Sequence, residues 1–150
     1  MSYIEENLLP GERVVYRAVL HKIIYVWPAI FVLLGLIALL GSAGTAFLCF
    51  VIAGITAAFC YAKFKTSEFG VTDKRVLVKV GILSRRSLEI LLTKVEGIGV
   101  NQDIGGKSLD YGTIVITGTG GTKEPFTRIA RPLEFRRRVQ EQIGLLQPAK

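Results

Sequence analysis

Hydrophobic and polar positions divide this chain into two parts that suit different solvents. From Ile23 to Ala62 there is no Asp, Glu, Lys or Arg, a run of 40 residues, about twice the length of one membrane span. Gly41-Ser42-Ala43-Gly44 interrupts it with residues that favour a turn. The pattern therefore predicts one helix over Ile24 to Leu40 and a second over Thr45 to Ala62, each roughly 26 Å long at 1.5 Å per residue. Pro28 falls in the first turn of the first helix, where its missing N–H costs little. A soluble helical hairpin would carry a polar face on each helix, and neither has one. A cleaved signal peptide fits poorly, because the polar leader holds Glu5, Glu6 and Glu12 and a second apolar segment follows at once.

After Lys65 the pattern changes to short alternating runs. Ser67 to Val71 reads as a strand closed by Thr72-Asp73, followed by Arg75 to Val80 ending at Gly81, and by Ile82 to Ile90. Leu92-Thr93-Lys94 reads as a crossing segment. Val95 to Ile104, Tyr111 to Thr119 and Thr122 to Ile129 complete six strands, and short strands separated by glycine-containing turns indicate an antiparallel sandwich or barrel. Pro132 opens a terminal helix with Phe135, Val139 and Ile143 on one stripe. Six strands leave a seven-stranded barrel one short, and residues 12–20, rich in Val and Tyr, offer a strand that returns from before the helices.

A small barrel capped by an amphipathic C-terminal helix is the shape of a pleckstrin-homology domain. "EFGVTDKRVLVKVGILSRRSLEI" resembles the opening of the YdbS-like bacterial pleckstrin-homology family, where Thr-Asp-x-Arg starts the second strand and a Gly ends it. "KVEGIGVNQDIGGKSLDYGTIVITG" is similar to the family's central stretch, "RPLEFRRRVQEQI" to its terminal helix and "LLPGERVVYRAVLHK" to its lead-in. The resemblance thus covers nearly the whole chain. It implies a membrane α-helical hairpin plus a mainly-β pleckstrin-homology-like barrel with a C-terminal capping helix. The expected divisions are a lead-in at 1–22, a two-helix transmembrane hairpin at 23–62 and a cytoplasmic domain at 65–146.

Charge sets the orientation. Before the apolar block three cations and three carboxylates balance; after it 16 Lys and Arg face 9 Asp and Glu, which accounts for the net +7. Lys22 precedes the first helix, Lys63 and Lys65 follow the second, and the turn between carries no charge, so both termini are expected on the cytoplasmic side of a bacterial inner membrane. Lys22, Tyr25, Trp27 and Tyr61 suit the headgroup boundary. Gly35, Ala53, Gly54 and Ala57 are small enough to let helices approach closely, within the hairpin or between copies. Cys49 and Cys60, eleven residues apart on one helix, lie about 16 Å apart along its axis, too far for a disulfide.

Candidate chemistry is sparse. "NQDIGGKS" at Asn101 to Ser108 imitates a phosphate-binding P-loop, but Asn101 stands where the first glycine belongs and a strand follows where a helix is needed. A turn with glycines at positive φ accounts better for Gly105 and Gly106. His21 lacks metal-ligand partners, and no catalytic motif or cofactor site stands out, so an enzyme is not expected. The basic residues Lys63, Lys65, Lys74, Arg75, Arg85 and Arg86 are candidate contacts to anionic headgroups. In pleckstrin-homology domains that hold phosphoinositides the cations surround the first strand loop; here that loop is read as Thr72-Asp73, too tight for a deep pocket, which favours diffuse attraction. Nucleic acid is not expected, since no aromatics interleave the basic runs. The reading is a non-catalytic module that binds a protein partner or self-associates at the membrane, with anionic-lipid binding as the alternative.

Overall fold

The computed structural model describes residues 3–81 and 86–146. Two compact units form: Lys22–Lys65, and a second made of the segments before and after it.

The second unit is built from two antiparallel sheets. In the first, β1 (Val14–Ala18), β2 (Glu68–Thr72), β3 (Arg75–Val80) and β4 (Arg86–Leu91) pair in chain order. The segment at 12–20 thus supplies the first strand, which pairs antiparallel with β2, Ala18 opposite Phe69. The second sheet consists of β5 (Val95–Asn101), β6 (Tyr111–Gly118) and β7 (Lys123–Ala130), again in chain order. Gly112, Ile114 and Ile116 alternate inward along β6, as a half-buried strand requires. β2 and β3 are buried on both faces over most of their length, because the short N-terminal helix α1 (Tyr3–Glu6) lies over the outer side. Ile4 of α1 packs so tightly on Gly70 that a Cβ there would sit 2.8 Å from Ile4 Cδ1. Phe69 and Phe126 meet edge-to-face across the core at 6.0 Å.

The sheets close at one corner through the residues just after β1. Leu20 bridges to Ile129, the His21 N–H donates to the Arg128 carbonyl at 2.7 Å, and the Ala130 N–H donates to the Val19 carbonyl at 3.0 Å. The terminal helix, α5 (Pro132–Leu146), packs on β1, β5 and β6. Phe135 and Val139 are fully buried and Ile143 partly so; each full burial is worth about 1.5–3 kcal/mol. Its outer face is laced by Glu134–Arg138 and Arg137–Glu141 pairs at i,i+4 spacing.

In the Lys22–Lys65 unit a 3-10 turn at Lys22–Tyr25 leads into α2 (Val26–Ala38), and α3 runs over Ala43–Thr66. The sequence-expected bounds shift at both helices. Leu39 and Leu40 belong to the connection, and Gly44 lies inside the first turn of α3. The Ser42 carbonyl accepts from the Ala46 N–H and the Thr45 hydroxyl, which starts the helix earlier. At the other end Lys63 and Lys65 continue α3, since lysine propagates a helix well and cations suit its C-terminus. α2 and α3 touch where Gly35 faces the Phe50 ring: a Cβ there would come within 2.9 Å of it. The Cys60 thiol donates to the Ile24 carbonyl at 3.2 Å, and both cysteines are free. α3, with 24 residues and an 18-residue stretch of mean hydropathy 2.1, is long and apolar enough to cross a membrane.

Between β5 and β6 the chain forms a fourth helix, α4 (Ile104–Leu109), where a strand end and a glycine turn were expected.

Candidate functional site

A concavity of about 690 Å³ lies beside α4 in the β-rich unit, between the end of β5, the start of β6, and β7. Its construction starts with Asp103, whose Oδ1 accepts the Gly106 N–H at 2.5 Å and caps α4. Gln102 holds the same turn from the other side, its Nε2 donating to the carbonyls of Gly106 and Tyr111. Gly106 is thus a close-approach glycine, not a positive-φ one: a Cβ would lie 2.6 Å from the Tyr111 carbonyl and 2.7 Å from Asp103 Oδ1. That corrects the turn reading of Gly105 and Gly106, neither of which has positive φ. Opposite α4, the β6–β7 register slips between Gly112 and Ile114, pairing Gly112 with Ile129 but Ile114 with Phe126. The extra β7 residue produces a bulge in which Arg128 takes a left-handed φ of 60°. Lys107 and Arg128 both line the groove, as do Asn101, Thr113 and Thr127.

A second polar cluster is sealed inside. Glu12 accepts from Arg75 Nε and Nη2, both at 3.0 Å, from the Thr72 hydroxyl at 2.7 Å and from the Leu9 N–H at 2.8 Å. Arg75 also donates to Glu89 at 2.6 Å and to the Asn7 carbonyl. Burial alone would raise the Glu12 pKa; the hydrogen bonds from Arg75, Leu9 and Thr72, with the Arg75 charge, outweigh it and hold the carboxyl at about 2. Hydrogen bonding to Glu12 in turn raises the Arg75 pKa. This cluster clasps the N-terminal segment to β2, β3 and β4, and every acceptor it holds is already engaged with a donor.

A family model described as Bacterial PH domain matches residues 23–143. The chain belongs to the bacterial PH domain family. No curated protein and no solved structure gives a match. Two sheets and a C-terminal helix fit a pleckstrin-homology-like fold, and membership makes a non-catalytic interaction module the general reading of its role.

The bacterial PH domain distributes the sequence-nominated residues unevenly. Lys74 is exposed in the β2–β3 turn. Arg75 is not a headgroup contact: it is buried, with its guanidinium committed to Glu12, Glu89 and Asn7. Arg85 lies outside the described residues, as does the side chain of Arg86, which begins β4. Lys63 and Lys65 are exposed on the last turn of α3, Lys65 reaching the Tyr61 hydroxyl at 3.4 Å. Lys22, Trp27 and Tyr61 are exposed, while Tyr25 packs on Phe64 with ring centroids 6.2 Å apart. Gly35 and Ala53 are buried in the helical unit and Ala57 partly so; Gly54 points into open space. The loop between the first two strands is also corrected: it is residues 19–67, which hold both long helices, and Thr72-Asp73 belongs to the next turn. His21 stacks on Tyr111 at 5.3 Å, and no cluster of metal-ligating side chains occurs among the described residues. Sequence reading missed the Glu12–Arg75 clasp and the Lys107–Arg128 groove. A Glu in a Val-rich strand entry was the available signal for the first. The second needed a bulge that leaves no mark in the alternation.

Proposed function

We propose that this bacterial PH domain is a non-catalytic interaction module anchored in the bacterial inner membrane by α2 and α3, with both termini cytoplasmic and of the YdbS-like kind. Its partner is a second protein or another copy of itself. The observation that carries the reading is the uncovered apolar surface of the helical unit. Leu40 is 91% exposed, Phe47 72% and Leu33 58%, and only 11% of the most apolar stretch of α3 is buried. A face this apolar and this extended is a membrane or partner contact, not an ordinary solvated surface. The 3-10 turn and α2 together extend roughly 28 Å and α3 roughly 36 Å, close to or beyond a 30 Å hydrocarbon core. β1 and β2 pair directly, so the segment between them leaves and returns on one side, which favours a two-pass hairpin. Lys22, Lys63 and Lys65 then flank it, with Trp27 and Tyr61 at headgroup depth. Attraction of Lys63, Lys65 and Lys74 to anionic lipid is the second reading, favoured by their exposure.

The test is gentle extraction of the intact protein from native membranes, followed by native mass spectrometry. A stoichiometric protein companion or a defined homo-oligomer is expected. A lone monomer carrying enriched anionic lipid would replace the first reading with the second, and recovery in the soluble fraction would remove both.

A further inference from the structure

We infer that the groove between α4 and the β7 bulge is a binding site for a phosphate group, held by Lys107 and Arg128. The inference is independent of whether the helical unit spans a bilayer.

Three observations converge. The groove has a surplus of donors: among the described residues no hydrogen bond or ion pair engages the side chains of Lys107, Arg128, Asn101, Thr113 or Thr127, all of which line it. The carboxylate on its wall, Asp103, is turned to the Gly106 N–H as a helix cap. What remains is two cations, the hydroxyls of Tyr111, Thr113 and Thr127 and the Asn101 amide around a space of about 690 Å³, within the usual range for small-molecule sites. Charged donors around a concavity suit the three or four acceptor oxygens of a phosphate, and Arg binds such oxygens through its planar fork.

The second observation is backbone strain. The non-glycine residues with left-handed φ among the described residues are Asp110, Arg128 and Arg131. Asp110 is the left-handed cap that ends α4 and accepts the Arg131 N–H at 2.9 Å, and neither lines the groove; Arg128 does. Such strain of about 1 kcal/mol or more per residue tends to collect at ligand clamps.

The third observation separates fold from function. The bulge itself has a structural use, since it presents the Arg128 carbonyl to the His21 N–H. That use needs a left-handed residue but not an arginine; Gly or Asn would adopt the conformation more cheaply. An arginine at the costly position, lining the same groove as Lys107, is accounted for by an anionic ligand.

The phosphate has two sources, a soluble phosphate compound or a phosphomonoester lipid headgroup. The full chain, isotope-labelled in phosphatidylcholine nanodiscs, is titrated with inorganic phosphate while the amide signals of Thr113, Thr127 and Arg128 are followed. A parallel arm replaces part of the phosphatidylcholine with phosphatidic acid. Saturable shifts in the first arm indicate a soluble phosphate ligand, and shifts confined to the second indicate a headgroup; either supports the inference. Lys107→Gln and Arg128→Asn are each expected to weaken binding about 10-fold or more, the range for a charge-assisted hydrogen bond. Lys123→Gln, an exposed cation of β7 outside the groove, is expected to leave it unchanged. Arg128→Gly is expected to weaken binding as Arg128→Asn does while maintaining or raising the melting temperature. The inference falls if neither arm gives saturable shifts, if Lys123→Gln weakens binding as much as Lys107→Gln, or if Arg128→Gly melts lower than the parent, which would make the arginine a structural residue.

Discussion

Replacing Glu12 by Gln removes one charge from the clasp while keeping its shape, and the expected cost follows from the carboxyl's titration. A pKa of about 2 against an ordinary 4.5 corresponds to about 3 kcal/mol of stability from Glu12 ionisation at neutral pH. The folded protein binds this proton less readily than the unfolded chain. The contribution is therefore complete above about pH 4.5 and is lost as pH falls towards about 2. In Glu12→Gln the amide presents one acceptor in place of two, and Arg75 is left with Glu89, whose side chain is 39% exposed and pairs weakly through solvent. A loss of about 2–4 kcal/mol is expected at pH 7, equivalent to roughly 30- to 1,000-fold faster exchange through unfolding. Hydrogen–deuterium exchange of peptides covering β2 and β3, on the intact protein in nanodiscs, measures this directly. After correction for intrinsic rates, the parent should lose protection between pH 5 and pH 3 and the variant should not. A variant within about 0.5 kcal/mol of the parent at pH 7, or the same pH dependence in both, would refute the assignment of the clasp as the fastening of the N-terminal segment.

Other perturbations test separate joints of the fold. Gly106→Ala places a methyl against the Tyr111 carbonyl and Asp103, neither of which can yield, and should cost about 1–3 kcal/mol in thermal melts. Gly54→Ala, with nothing within 4 Å, should be neutral or slightly stabilising in the same assay. Phe135→Ala should cost about 3–5 kcal/mol and expose the interior to limited proteolysis, since its ring is buried between α5 and the sheets. Gly70→Ala pushes on the Ile4 side chain, with Cδ1 at 2.8 Å and Cγ1 and Cγ2 at 3.3 Å, so exchange should rise in residues 3–7 with β2 and β3 still protected. Joining His21 to Ser67 by a short Gly-Ser linker should give a soluble, cooperatively folding domain, because the segments before and after the helices form a compact unit of their own; a collapsed or aggregated product would show that the helices support the domain.

How much of this was legible in the sequence depended on whether a signal was local. The break at Gly41-Ser42 and the alternation along Tyr111 to Thr117 depend on neighbouring residues, and the turn and β6 lie close to where those patterns put them. The stripe of Phe135, Val139 and Ile143 likewise identifies the buried side of α5. What escaped depends on distant partners. Arg75 looks like one more surface cation until Glu12, 63 residues earlier, is brought beside it. Gly106 looks like a turn glycine because a turn and a close approach demand the same missing side chain, and only the Tyr111 carbonyl distinguishes them. The bulge at Arg128 is invisible because a single inserted residue leaves the apolar pattern of the strand readable on both sides.

The position of the helices within the strand order has a consequence for the proposed anchor. They interrupt the connection between two paired antiparallel strands, β1 and β2, where a short hairpin loop would ordinarily suffice. Closing that pair across a flexible segment of this length would be entropically expensive and slow, since a non-local contact is rewarded only after the loop has closed. A helical hairpin shortens the effective loop, because its second helix runs back along the first and returns the chain towards its starting point. Formation of β1–β2 then depends on the hairpin having formed. Ala18 opposite Phe69, and the Leu20 bridge to Ile129 that closes the two sheets, lie within a few residues of where the inserted segment departs and returns. A membrane-inserted hairpin would supply the preformed turn that makes β1 a near neighbour of β2. On this reading the anchor is a folding element of the domain's first strand pair as well as a tether.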